Sequence, residues 1–126
     1  MGDIFMLDCI FVGMGGFVGT VLRYLVGLVP VRPVSGFPLV TLFINVAGAF
    51  AIGLIVAAAA KSGSLSPRMV LMLKVGVCGG FTTFSTFAYE TASLINSGSH
   101  FAAGCYAVLS VVLSVLAVFA AQAAVA

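Results

Sequence analysis

The sequence predicts an all-α membrane protein with four transmembrane helices per chain, because both its composition and its length fit this fold class. Of the 126 residues, 63% are hydrophobic and only 6% are charged, and the mean hydropathy is +1.32. About a quarter of a typical soluble domain is charged, so these few charged side chains cannot cover a surface that faces water. A membrane-spanning helix needs about 20 apolar residues. The chain therefore has room for four spans in a single domain, residues 1–126, and for no separate soluble domain.

Short polar segments separate the four apolar runs. The segment PVRPVSG (30–36) clusters proline, serine and glycine, which are typical of turns. Pro38 suits the first turn of a helix, where its missing N–H is no loss. Ser66 and Pro67 predict an N-cap followed by proline at the first helical position. We place the spans at about residues 4–29, 38–60, 67–95 and 101–125, with the polar links KSGSLS (61–66) and NSGSH (96–100) between the later ones.

Charge and cysteine content exclude several other classes of protein. The formal net charge is +2 and no basic run is present, which argues against binding of nucleic acid. The three cysteines, Cys9, Cys78 and Cys105, lie in or beside apolar runs. We expect them to pack as small side chains rather than to form disulfides or bind metal. The single histidine, His100, lies in a loop without a recognisable nucleophile, so we expect no enzymatic activity.

The distribution of Lys and Arg predicts the orientation of the chain only weakly. Lys61 and Arg68 flank the second loop, whereas Arg32 is the only basic residue in the first loop. Cytoplasmic loops are enriched in basic residues, so this difference favours a cytoplasmic location for both termini. Because the margin is small, insertion in both orientations is also compatible with the sequence.

Pairs of small residues spaced four apart occur in the first two spans. Gly15 and Gly19 form a GxxxG pattern, and Ala49 and Gly53 have the same spacing. Such pairs let helix backbones approach closely in lipid. The spacing is equally compatible with packing inside one bundle and with packing between subunits.

Four polar or ionisable side chains fall inside the predicted spans, where such groups are costly and point to a function. Arg23 either extends to the membrane interface beside Tyr24 or lines a water-filled entrance that attracts anions. Lys74 is better explained by extension to the interface, and Glu90 lies one turn before the end of its span. Asn45, near the middle of the second span, needs a hydrogen-bond partner, so it either bonds another helix or lines a pore.

The fourth span carries a stripe of hydroxyl groups. Tyr106, Ser110 and Ser114 recur every four residues on an otherwise aliphatic helix. A single serine would be uninformative, because it can bond the carbonyl four residues earlier. Three hydroxyl groups on one face indicate a track for water or an ion.

The third span contains the segment GVCGGFTTFSTFAYE (76–90). Gly79 and Gly80 favour local unwinding of the helix, which membranes tolerate only where the backbone is buried in protein or lines a cavity. Freed carbonyl oxygens there are suitable ligands for a hard cation such as Na⁺. Phe84 and Phe87 either turn their positive ring edges toward an anion or pack in the core, and side-chain chemistry alone favours packing.

Three segments together resemble the signatures of the Fluc, or CrcB, family of fluoride channels. They are GGFVGTVLRY (15–24), PLVTLFINVAGAFAIG (38–53) and GVCGGFTTFSTFAYE (76–90), and length and span layout agree along essentially the whole chain. The resemblance implies an antiparallel, dual-topology homodimer in the plasma (inner) membrane. It also implies two pores per dimer, each built by both subunits, through which fluoride leaves the cytoplasm passively and confers fluoride resistance.

The resemblance also assigns site residues. The ring edges of Phe84 and Phe87 are expected to approach fluoride, and Asn45 corresponds to the family's pore asparagine. Main-chain carbonyls of Gly79 and Thr82 from both subunits are expected to hold a structural Na⁺ at a helix break running from Gly79 to Thr82. The remaining positions are the expected hydroxyl track, Ser85 or Thr86 with Tyr106, Ser110 and Ser114, and the charged pore-end residues, Arg23 and Glu90.

A small dual-topology exporter of drugs or guanidinium is the main alternative, since such exporters also have four short spans. Their mechanism centres on a glutamate in the middle of the first span. The corresponding segment here reads GMGGFVG (13–19) and contains no carboxylate. The sequence therefore favours the channel.

Overall fold

Helices account for nearly the whole chain in the computed structural model, which describes all 126 residues. The first two helices are α1 (Gly2–Gly27) and α2 (Leu39–Ser62). The third span comprises α3 (Pro67–Leu71), a π-helical segment (Met72–Cys78), α4 (Gly79–Phe81) and α5 (Phe84–Asn96), and α6 (His100–Val125) is the fourth. The four spans are each long and apolar enough to cross a membrane.

The helix ends lie close to local signals in the sequence. The observed bounds of the four spans differ from the predicted ones by no more than two residues. The Ser66 hydroxyl accepts a hydrogen bond from the Met69 amide at 3.2 Å, as an N-cap does, and Pro67 is the first helical residue. α2 ends at Ser62, and its C-cap Gly63 has a φ of +59°, a left-handed conformation that favours glycine.

Two residues of the third span, Thr82 and Thr83, have extended backbone between α4 and α5. Their φ and ψ angles are −80° and 157° for Thr82 and −151° and 117° for Thr83. The sequence predicted unwinding at Gly79 and Gly80, and that position is wrong, because both residues are helical. Gly80 serves packing instead, since an added Cβ would lie 2.6 Å from the Gly16 carbonyl oxygen.

Glycines bring α1 into backbone contact with the π-helical segment. A Cβ added to Gly15 or to Gly19 would overlap the carbonyl oxygens of Met72 and Val77 respectively. The GxxxG pattern therefore packs helices within one chain, which resolves the two alternatives that its spacing left open. In the second span, Gly53 serves α6, because its added Cβ would lie 2.9 Å from that of Ala121.

Two polar contacts place the start of α1, the end of α2, the start of α3 and the end of α6 at one end of the bundle. Arg68 pairs with Asp8 at 2.8 Å, and its guanidinium lies 5.6 Å from the centre of the Phe11 ring. Lys61 donates to the Val125 carbonyl at 2.7 Å. The opposite end, formed by the loops after α1 and α5, holds the polar clefts described below.

Little of the chain is buried by its own packing. Only 14 of 126 residues are buried, so large apolar side chains cover the outside of the bundle. α2 packs mainly on α6, α1 mainly on the π-helical segment, and the direct contact between α1 and α2 is small. A small cluster around Leu42, Leu94, Ala103 and Tyr106 joins α2, α5 and α6.

The close approach of α1 to the third span predicts a position-dependent effect of alanine. Gly19→Ala places a Cβ against the Val77 carbonyl and should destabilise the protein by about 1–3 kcal/mol, the usual range for overpacking. Gly13→Ala is the matched control in the same helix, because nothing lies within 4 Å of its added Cβ. Thermal unfolding in detergent measures the stability of both variants, and equal melting temperatures for Gly19→Ala and Gly13→Ala would contradict this packing.

Candidate functional site

Asn45 holds the extended backbone of the third span in place. Its side-chain Nδ2 donates to the Thr83 carbonyl at 3.1 Å, and the Thr83 amide donates to Oδ1 at 2.8 Å. These reciprocal bonds satisfy both backbone groups of a residue that has left the helix, which membrane depth requires. One N–H of the Asn45 side chain keeps no partner within the chain.

Arg23 supplies a second bond to this backbone. Its Nε donates to the Gly80 carbonyl at 3.0 Å. In a continuous helix that carbonyl would accept from Phe84, which lies beyond the extended residues. Arg23 therefore does more than reach the interface, and it also lines a cleft of about 480 Å³ together with Thr20, Thr86 and Glu90.

Thr83 begins the next helix as well as being held by Asn45. Its hydroxyl accepts a hydrogen bond from the Thr86 amide at 3.2 Å and donates to the Thr86 hydroxyl at 3.0 Å. This is the usual geometry of an N-cap. The spacing of Thr83 and Thr86 is a sequence signal for this helix start, and the prediction of unwinding at the glycines missed it.

Two carbonyl oxygens at the interruption lose their usual helical donors. The Thr83 amide, which would bond the Gly79 carbonyl in a continuous helix, donates to Asn45, and the Thr86 amide, which would bond the Thr82 carbonyl, donates to the Thr83 hydroxyl. The Thr82 side chain turns back instead and donates to the Cys78 carbonyl at 2.8 Å. Unpaired carbonyl oxygens are ligands for a hard cation, so the chemistry of this pair fits Na⁺.

A hydrogen-bonded cluster around the Glu90 carboxylate lies about two turns further along α5. Glu90 accepts from the Thr41 hydroxyl at 2.7 Å and from the Tyr106 hydroxyl at 2.6 Å, one on each carboxylate oxygen. Tyr106 is fully buried and Thr41 is nearly so. The single proton of Tyr106 is therefore engaged by Glu90, although the sequence placed this hydroxyl in the same track as Ser110.

The two phenylalanines of the motif differ in environment. Their ring centres lie 5.5 Å apart at 47°. Phe87 packs against Tyr106, with ring centres 5.2 Å apart, and joins the core cluster. Phe84 is 80% exposed, so packing within its own chain does not account for it. The two rings thus differ in exposure, although both line the groove described next.

A groove of about 260 Å³ brings several of the sequence-predicted residues together. Its lining comprises Asn45, Thr82, Thr83, Phe84, Phe87, Ser110, Val111 and Ser114. Three other predicted pore residues lie elsewhere. Thr86 lines the cleft with Arg23, the Ser85 hydroxyl lies 3.4 Å from that of Thr83 at the exposed start of α5, and Tyr106 is bonded to Glu90.

Ser110 is the unusual member of this groove. Its hydroxyl is buried and has no hydrogen-bond partner. Elsewhere in the chain Thr91 and Ser93 bond the carbonyl four residues earlier, at 2.8 and 2.9 Å, as hydroxyl residues in helices commonly do. A buried unpaired hydroxyl costs about 1–3 kcal/mol. Ser110 lines the groove together with the exposed Phe84, so an unused hydrogen-bond donor lies next to this groove.

Comparison with known proteins identifies relatives across nearly the full chain. Residues 10–122 match the family described as "CrcB-like protein, Camphor Resistance (CrcB)". Proteins named "Fluoride-specific ion channel FluC" are 44% identical over 108 residues in Chlorobium phaeobacteroides (strain BS1) and 46% identical over 101 residues in Chlorobaculum tepidum. These alignments cover 86% of this chain and 84% of the first relative, and 80% of both chains for the second.

A third relative of the same name, from Rhizobium meliloti (strain 1021), is 45% identical over 119 residues, which are 94% of this chain and 95% of that protein. The relatives are named as ion channels, which are not enzymes. Together with the four apolar spans, these matches show that the chain is a multi-pass membrane protein and belongs to the CrcB-like family.

Proposed function

We propose that the chain forms a fluoride-selective ion channel through which fluoride leaves the cytoplasm passively, and that this confers resistance to fluoride. The observation that carries the proposal is the buried, unpaired hydroxyl of Ser110, a residue that lines the same groove as Phe84 and Asn45. The names of the relatives supply the identity of the ion. In a bacterium the membrane concerned is the plasma membrane.

The groove offers an anion hydrogen-bond donors without a full positive charge. The Ser110 hydroxyl and the spare N–H of Asn45 are both donors, and the edge of an aromatic ring such as the exposed Phe84 is electropositive. A full charge would hold the anion too tightly, whereas conduction requires binding that is weak enough to release it. Arg23 has its Nε committed to Gly80 and lies in the separate cleft.

The membrane potential supplies the driving force in this mechanism. In acidic surroundings part of the fluoride is neutral HF, which crosses lipid and dissociates in the neutral cytoplasm. An inside-negative potential then drives the anion outward with about 2.3 kcal/mol per charge per 100 mV. The same potential would drain chloride, so the pathway must discriminate strongly between the two anions.

We propose further that two copies associate antiparallel and form two pores. The groove of one chain is open along its side, and Phe84 projects from it at 80% exposure. An ion path through lipid has to be enclosed, so a second copy is expected to cover this face. Reporter fusions after Ala126 should show both orientations, and a single orientation in every cell would contradict an antiparallel homodimer.

A structural Na⁺ between the two copies is also part of the proposal. The Gly79 and Thr82 carbonyls would hold it, and the two oxygens from one chain would be joined by two from the second copy. The ion would supply positive charge that stabilises the junction of the copies. Exchange of Na⁺ for N-methylglucamine during purification should lower the melting temperature of the dimer; no change would argue against the site.

Fluoride efflux from liposomes containing the purified protein tests the main proposal. We expect passive fluoride efflux and almost no chloride efflux. Phe84→Ile should slow fluoride efflux at least tenfold, because it removes the ring edge but leaves the core intact. A tenfold slower rate corresponds to an activation barrier for conduction that is higher by about 1.4 kcal/mol. Phe119→Ile, at a residue 63% exposed on α6, is the control and should leave the rate unchanged.

Equal rates for fluoride and chloride would contradict selectivity. Proton-coupled exchange of guanidinium or drugs, without any fluoride flux, would instead favour the exporter. Unchanged efflux in Phe84→Ile would remove this ring from the proposed path.

Ser110→Ala should affect stability and fluoride efflux in opposite directions. The hydroxyl has no partner to lose, so the melting temperature should stay the same or rise. Fluoride efflux should fall, because a donor is lost from the groove. Ser93→Ala is the matched control, since this exposed hydroxyl bonds only the Tyr89 carbonyl. A lower melting temperature with unchanged efflux would make Ser110 a structural residue.

A further inference from the structure

Two hollows adjoin at the end of the bundle where α1 stops and α2 begins. The first has a volume of about 370 Å³ and is lined only by apolar side chains: Val26, Val29, Val31, Leu39, Val40 and Phe43. The second is a polar cleft of about 720 Å³ whose lining includes Arg32 and Ser97 and also Glu90, whose carboxylate accepts from Thr41 and Tyr106. Val31, Leu39 and Val40 line both hollows, so they form a thin apolar wall between them.

Arg32 is the positively charged residue in the lining of the larger cleft. It is exposed in the loop between α1 and α2 and makes no hydrogen bond or ion pair within the chain. The other two arginines are engaged, Arg23 with Gly80 and Arg68 with Asp8. Because the loop follows the last turn of one span and precedes the first turn of the next, Arg32 lies at the level of the lipid headgroups.

We propose that the paired hollows bind an anionic glycerophospholipid, with an acyl chain in the apolar hollow and the phosphate on Arg32. The ligand must combine an apolar chain with an anion at one end, because an apolar hollow and an unpaired guanidinium meet across one wall. A guanidinium binds phosphate through two parallel hydrogen bonds, which gives this pairing strength as well as direction.

The acidic side chains of a second copy are poor candidates for the anion. Glu90 is bonded on both oxygens by Thr41 and Tyr106, and Asp8 is paired with Arg68. Only Asp3, near the start of α1, is uncommitted within the chain, and in the antiparallel pair proposed above a second copy would bring this single carboxylate to the same membrane face as Arg32. A lipid phosphate, by contrast, is present at the headgroup level all around a membrane protein. Charge complementarity therefore favours the lipid over a second copy.

Native mass spectrometry of the detergent-purified protein tests this site with three probes: phosphatidylglycerol, diacylglycerol with the same chains, and inorganic phosphate. The wild type should retain phosphatidylglycerol most strongly. Arg32→Gln should weaken its retention about fivefold, the contribution of one basic residue near an anionic lipid. The same change should leave retention of diacylglycerol unaffected, and Arg32→Lys should restore only part of the retention of phosphatidylglycerol, because an ammonium group keeps the charge but not the paired hydrogen bonds.

Two further variants distinguish a lipid site from a subunit contact and from a general effect of positive charge. Lys61→Gln removes a cation at the opposite end of the bundle and should leave the retention of phosphatidylglycerol unchanged. Val29→Trp fills the apolar hollow and should reduce retention of both lipids. Equal retention of phosphatidylglycerol by wild type and Arg32→Gln overturns the proposal, as does retention of inorganic phosphate alone. Dissociation of the copies by Val29→Trp would assign the hollow to a subunit contact and overturn it too.

Discussion

The reciprocal hydrogen bonds between Asn45 and Thr83 are the constraint on which the rest of the site depends. Extended backbone inside a span loses its helical hydrogen bonds, and lipid offers no replacement. Asn45 supplies a donor and an acceptor to Thr83, and Arg23 supplies a donor to Gly80. Side chains from two other helices thus take over part of the bonding that a continuous third helix would make for itself.

The interruption decides where the functional side chains lie. Because Thr83 restarts the helix as its N-cap, α5 is a new helix and not a continuation of α4. Phe84 then projects outward, Phe87 faces Tyr106, and Glu90 reaches the hydroxyl groups of α2 and α6. If the third span were a continuous helix without the two extended residues, the side chains of α5 would point in other directions and these contacts would be lost.

Glycines allow the interrupted span to lie close enough to α1 for Arg23 to reach it. Gly15, Gly19 and Gly76 bring the two backbones into contact, and Gly80 continues the same seam. Dense packing here contrasts with the open groove on the other side of the span. One face of the third span is therefore fixed by backbone contact, while the other borders the groove that Asn45 of α2 and Ser110 of α6 also line.

The sequence alone determined the four spans, their ends and the polar residues inside them that call for a functional explanation. Hydropathy, proline position and capping are local properties, so Pro67, Ser66 and the loop glycines located the boundaries without a fold. It also singled out Asn45, Ser110 and Glu90, because polar groups in apolar runs stand out by chemistry.

Only the tertiary structure decided what each of these residues does. The unwinding falls at Thr82 and Thr83 rather than at the preceding glycines, because Asn45 meets the backbone there and Gly80 is needed against Gly16. Tyr106 was grouped with Ser110 by spacing, yet one hydroxyl is bound by Glu90 and the other is unpaired. Such differences depend on which backbone or side chain of another helix lies opposite, and spacing along one helix does not contain that information.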